Sequence, residues 1–253
     1  MEQLVEGWPF SPKPLPHRSF LQRLFRFRNN EDAVIAINNL LASHSDLAGL
    51  RPQEIAGSLD GFRVSAQKVR SDLREMTSAL LVFVIENANE AQPDADFRKV
   101  SSLFPLDHTD FDLALSDARK EVYGRAVDRF IEDGRLSKQE KLELETLRFK
   151  LGLSEDDGKS VYAQRAQRRI ARFVQFITED QRISPVEDRR LGDMAQSLGV
   201  TLQFDQSSEH VFQRYRTLWA IEHGELPEVL APIPLKRGEA CHFLSGVHGT
   251  NTA

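Results

Sequence analysis

Four carboxylates recur at a fixed interval in this chain: Asp133 and Glu140, then Asp180 and Glu187, with 180 − 133 = 47 and 187 − 140 = 47. Paired acids in repeated turns are the oxygen donors that hard divalent cations use. The first turn is EDGRLSKQE (132–140) and the second EDQRISPVE (179–187). Counting Gly134 as position six of a helix–loop–helix calcium loop puts Asp133 at five and Glu140 at twelve. Positions one and three are then Arg129 and Ile131, which cannot ligate a hard cation, and in the second turn they are Phe176 and Thr178, with Gln181 in place of the glycine. A calcium loop of that kind is not expected. A looser divalent-metal site built from Asp133, Glu140, Asp180 and Glu187 stands as the alternative to a structural role for these acids as helix caps.

The second set that could do chemistry is basic. Arg165, Arg168, Arg169 and Arg172 fall on one side of a helix whose other side holds Tyr162, Ala166, Ile170 and Phe173. Such a stripe can contact phosphates of nucleic acid or lipid, an anionic-partner surface. The simpler expectation is a solvated face paired with the acidic stretches Glu155–Asp157 and Glu179–Asp180, because no aromatic interleaves the arginines. Catalytic patterns are absent. Histidines 17, 44, 108, 210, 223, 242 and 248 show no metal spacing. Cys241 and His242 are neighbours, which on a strand sends them to opposite faces. There is no glycine-rich phosphate loop and no serine-nucleophile elbow. No catalytic residue and no cofactor site is expected.

The elements that carry the acids are punctuated by residues with physical duties. Ser137 and Ser184 are helix N-caps, and Glu140 and Glu187, three residues on, complete capping boxes. Pro185 takes the first helical position, where its missing N–H costs nothing. Gly152 and Gly199 sit where each helix stops. Between them Leu144, Leu147 and Leu151, then Leu191, Met194 and Leu198, share one helical face. Before each turn, Tyr123, Val127 and Phe130 match Ile170, Val174 and Ile177. Units of this kind bury their stripes only against one another.

The chain has 253 residues, 40% hydrophobic and 28% charged, with net charge −5. That is an ordinary globular composition. The charge gives no global attraction to nucleic acid or anionic membrane. One cysteine excludes an intramolecular disulfide framework and suits a reducing compartment. No apolar run is long enough to span a bilayer, and Trp8 to Pro16 is proline-rich where a secretory signal needs an apolar core. A cytoplasmic location is expected.

In chain order, residues 1–17 are expected to form an extended or mobile proline-rich arm with Trp8 and Phe10 as candidate docking points. Residues 18–106 form an N-terminal helical region. Within it Arg18–Arg28 is amphipathic, and peripheral membrane contact through 18–28 is the functional alternative to packing on the bundle. Glu31–Ala42, a short helix after Pro52, and Ser65 to about Ile85 follow. The last carries Val69, Leu73, Met76, Leu80 and Phe83. Leu59, Leu106 and Leu153 recur at offsets of 47, as do Phe83 and Phe130, so this is read as a degenerate earlier copy whose turn has decayed to ENANEAQPDAD (86–96). Residues 107–222 hold the clear repeats and a last helix from about Ser207 to Glu222. Residues 223–253 form a C-terminal extension whose IPLKRGEACHFL (233–244) alternates like a β-strand. A lone strand lacks a partner, so the chain is read as a fragment, or as a member that has lost a following β-rich domain.

The segment DGRLSKQEKLELETLRFKLGL resembles the tellurite-resistance TerB-like helical family, through Asp133, Gly134, Leu136, Ser137, Glu140 and Gly152, over about 125–201. It departs from that pattern at Gln181. The same stretch is similar to the helical repeats of the chloroplast inner-envelope import scaffold. The TerB-like resemblance implies a stress-response or membrane-associated scaffold module, in some members with a metal site. The expectation is therefore an all-α, right-handed stack of three or four helical hairpins of about 47 residues, with a short C-terminal β-like segment. Its expected function is a non-enzymatic protein-interaction scaffold. The alternatives are a metal-responsive stress protein and a peripheral membrane adaptor. The protein partner and the oligomeric state are left open.

Overall fold

A computed structural model of the chain describes residues 7–15, 29–87, 93–202 and 204–224. Among them every regular element is helical. The order is α1 (Asn29–Ala42), α2 (Pro52–Phe62), a 3₁₀ turn (Ala66–Val69), α3 (Arg70–Asn87), α4 (Pro93–Leu103), α5 (His108–Phe130), α6 (Lys138–Lys150), α7 (Glu155–Ile177), α8 (Pro185–Leu198) and α9 (Gln206–Glu222). No helix among the described residues is long and apolar enough to cross a membrane. The amphipathic segment Arg18–Arg28 and the strand expected at 233–244 lie outside the described residues.

The chain divides into two compact units, one of Met1–Arg125 with Leu147–Gly158 and one of Ala126–Thr146 with Lys159–Ala253. In the first, α1 packs on α2 and α3, and α3 packs on α4. Ile37, Leu41, Ile55, Leu73, Leu80, Leu81 and Leu103 are sealed in its core. The proline-rich residues 7–15 form no helix or strand, and they are docked within this unit. The Trp8 indole N–H donates to Leu41 O at 3.0 Å, and its ring meets Phe83 edge-on with centroids 5.0 Å apart. Asn38 Nδ2 donates to Ser11 O at 2.8 Å. Asn39 closes a pair with Lys13, accepting its N–H at 2.6 Å and donating to its carbonyl at 2.8 Å. Trp8 and Phe10 are thus core residues.

The region that reads as a decayed turn holds the first turn of α4, which runs on to Leu103. Pro93 opens it and Asp94 and Asp96 fill its first turn, where carboxylates meet the positive end of the helix dipole. At the head of α5, Asp107 Oδ1 accepts the N–H of Asp110 at 2.9 Å. Arg70 ties both acids to the start of α3, reaching Asp110 at 2.5 Å and Asp107 at 2.9 Å.

In the second unit the core is Ile131, Leu144, Ile170, Phe173, Ile177, Ile183, Leu191, Met194, Leu198 and Phe212. The turn before α6 and the turn before α8 are each tied to a later element. Leu136 N–H donates to Ser197 Oγ at 3.3 Å, and Ile183 N–H donates to Tyr215 O at 3.4 Å.

Two carboxylates near α9 give a pH expectation. Two hydrogen bonds from the Arg182 guanidinium hold the Glu222 carboxyl below its usual range, and the Ser208 N–H with the Ser207 hydroxyl does the same for the N-cap Asp205. Both groups bind a proton less readily folded than unfolded. Their stabilisation is complete above the ordinary carboxylate range of about 4 and is lost as pH falls through the lower folded values. The melting temperature is expected to hold from neutral pH to about pH 5 and then to fall. R182Q should make that acid limb shallower in a pH series of thermal melts, and an unchanged limb would remove the Arg182–Glu222 pair as its source.

Candidate functional site

The four repeated acids face their own backbone. Asp133 Oδ1 accepts the Arg135 N–H at 2.8 Å, and Asp180 Oδ1 accepts the Arg182 N–H at 2.9 Å. Glu140 Oε2 accepts the Ser137 N–H at 2.7 Å, and the Glu140 N–H donates to Ser137 Oγ at 3.2 Å. Glu187 and Ser184 make the same reciprocal pair at 2.9 and 3.2 Å, and the Ser184 hydroxyl adds a bond to Glu187 at 2.7 Å. Each acid thereby satisfies an orphan donor of a turn or a helix start. Among the described residues no three His, Cys, Asp or Glu side chains gather in a group that could hold a metal ion.

The turns also share their backbone shape. Gly134 (φ +83°) and Gln181 (φ +61°) are left-handed at the same place, as are the helix stops Gly152 (φ +64°) and Gly199 (φ +65°). After each stop a chain-reversing bond follows: Leu153 N–H to Arg148 O at 3.1 Å, and Val200 N–H to Ala195 O at 2.9 Å.

The arginine stripe of α7 splits into two pairs. Arg165 Nη1 donates to Asp128 at 2.7 Å and Arg169 Nη2 to Glu132 O at 2.5 Å, both toward the α5 end of the second unit. Arg168 and Arg172 are exposed and meet no hydrogen-bond or ionic partner among the described residues. Two of the five acids expected to quench the stripe are engaged elsewhere. Asp157 accepts from Lys120 at 2.7 Å and from the Ser154 hydroxyl at 2.6 Å, which lowers its pKa, and Asp180 caps its own turn.

Two features escaped the residue pattern. Phe176 is one helical turn past Arg172 and is 64% exposed, stacked on the buried Phe173 with centroids 6.3 Å apart. The guanidinium of Arg190, on α8, lies 5.4 Å from the centre of the Phe173 ring. In the first unit, α3 and α5 flank an open groove of about 540 Å³. Arg74, Glu75, Ser78 and Val82 line one wall and Asp117, Glu121 and Arg125 the other. Arg125 is already tied to Glu86 at 2.9 Å and to Glu121 at 3.3 Å. The walls come from helices about forty residues apart, so local periodicity does not announce them.

Compared with protein-family models, with curated proteins and with solved structures, the chain matches none.

Proposed function

We propose that this chain is a non-enzymatic helical interaction module of TerB-like design, assembled from divergent units of about 47 residues. The observation that carries the reading is the equivalence of α5 and α7. Each has 23 residues, and they start 47 residues apart, since 155 − 108 = 47. Each leads into a turn whose acids are spent on backbone N–H groups and whose helix ends in a left-handed glycine. Residues with such duties serve architecture, and the exposed helix faces between them are left for recognition. On this reading the units stack as hairpins.

A pull-down from native extract with the full chain as bait should return a discrete protein partner. Turnover of a substrate by the chain alone, with no partner captured, would overturn the reading. The metal-responsive alternative has its own test. Thermal melts with calcium, magnesium or zinc should coincide with the metal-free melt, since cap-bound carboxylates offer no differential affinity to the folded state. A rise of several degrees would make Asp133, Glu140, Asp180 and Glu187 ligands and put metal sensing first.

A further inference from the structure

We infer that the outer face of α7, formed by Arg168, Arg172 and Phe176 with Arg190 beside it, docks a short acidic segment of a partner protein. The inference rests on the interaction-module reading and names its surface and the chemistry of its partner. Arg168, Arg172 and Phe176 are spaced four and four, so they form one line along the helix. Neighbours on the same helix show what this line is not for. Arg165 and Arg169 are anchored to Asp128 and Glu132, whereas Arg168 and Arg172 are exposed and meet no partner among the described residues. Phe176 keeps nearly two thirds of its surface in solvent, although Phe173 beneath it is buried. Arg190 lies against the Phe173 ring and is itself exposed.

Charge complementarity selects an anion, and the dimensions select its class. The cations on this line are arginines, whose planar forks grip carboxylates two bonds at a time. The basic patch is short. Gln164, Gln167 and Gln175 flank it, and Glu179 closes one end, all exposed and Glu179 of the wrong sign for an extended polyanion. A nucleic-acid backbone or an anionic bilayer would meet Glu179 and a chain of net charge −5. A peptide with two or three carboxylates and one apolar side chain is short enough to pair with the arginines and the Phe176 ring without running along the helix past Glu179.

The test is a selection of phage-displayed random peptides on the immobilised full chain, run in parallel on R168E/R172E and on F176S. All three positions are exposed, so the variants should melt with the wild type. Sequences enriched on the wild type should combine Asp or Glu with an apolar residue. The synthetic form of the strongest should bind R168E/R172E at least about tenfold more weakly, with raised salt weakening the wild-type complex. R168K/R172K should recover part of the loss, because charge returns without the fork. Enriched sequences without acids, or equal binding to R168E/R172E, would overturn this surface while leaving an interaction module in place. No enrichment on any of the proteins would count against both. Phosphatidylserine vesicles and a single-stranded oligothymidine serve as further arms, and binding of either that needs Arg168 and Arg172, without peptide enrichment, would assign the face to lipid or nucleic acid instead.

Discussion

Trp8→Ala is expected to destabilise the first unit by about 3–5 kcal/mol, the range for removing a buried large aromatic side chain. Trp8 is 8% exposed, sits edge-on to Phe83 and Phe10, and donates its indole N–H to Leu41 O. Edge-to-face contacts add to the simple burial of area. The indole bond is the smaller part. Leu41 O lies in the last turn of α1 and also accepts the His44 N–H at 3.2 Å, so it is not orphaned when the indole leaves. Trp8→Phe should therefore cost only about 1 kcal/mol more than its lost area, the net worth of one hydrogen bond. Urea titrations followed by far-ultraviolet circular dichroism measure both. The arm has a second hold through Asn38 and Asn39. If Trp8→Ala costs less than about 1 kcal/mol, the residues around Phe83 close without it, and the aromatic contact is not what anchors the arm.

This docking marks a limit of what residues announce. Proline-rich stretches are extended whether they lie on a surface or in water, because fixed φ and missing donors act locally. Nothing local in Trp8–Pro9–Phe10 tells whether a ring finds a pocket, and that depends on Leu41 and Phe83, 33 and 75 positions away. Helix starts and stops are the opposite case. Ser184, Pro185, Glu187 and Gly199 act within one turn, so α8 falls where they place it, from Pro185 to Leu198. The last helix, expected from about Ser207, begins at Gln206 behind the cap Asp205. Pro93, Asp94 and Asp96 carried the same start signals for α4, but without a serine cap or a strong stripe they read as a turn. At the candidate site the acids were legible as caps because capping boxes are local. The exposure of Phe176 was not, since an aromatic at the end of an apolar stripe fits the core equally well by periodicity. Arg190 joins the same patch from another helix, and the α3–α5 groove likewise arises from tertiary packing. The 47-residue alignment did expose one oddity, Gln181 opposite Gly134, and it corresponds to a residue held at positive φ.

That pair supports the other large expectation. Gly134→Gln is expected to cost about 2–4 kcal/mol, although glutamine stands at the matching place in the next turn. Two effects separate the positions. Both are left-handed, which is strained for any side chain, so backbone strain alone would make them equivalent. Gly134 is also buried, and a Cβ there would come within 2.5 Å of Met194 Cε and 3.2 Å of Met194 Cγ. Met194 is 3% exposed, so it can yield only by repacking a core that includes Leu191 and Leu198. Gln181 is exposed and escapes that second cost. The reverse change, Gln181→Gly, should accordingly be neutral to stabilising, by up to about 1 kcal/mol. A double-mutant cycle of Gly134→Ala with Met194→Ala divides the terms. Coupling of about 1 kcal/mol or more assigns the excess at 134 to the methionine contact. Additive costs would mean that Met194 swings clear freely, leaving left-handed strain as the whole penalty. The two turns would then be equivalent in energy as well as in backbone shape, and glycine at 134 would reflect conformation alone.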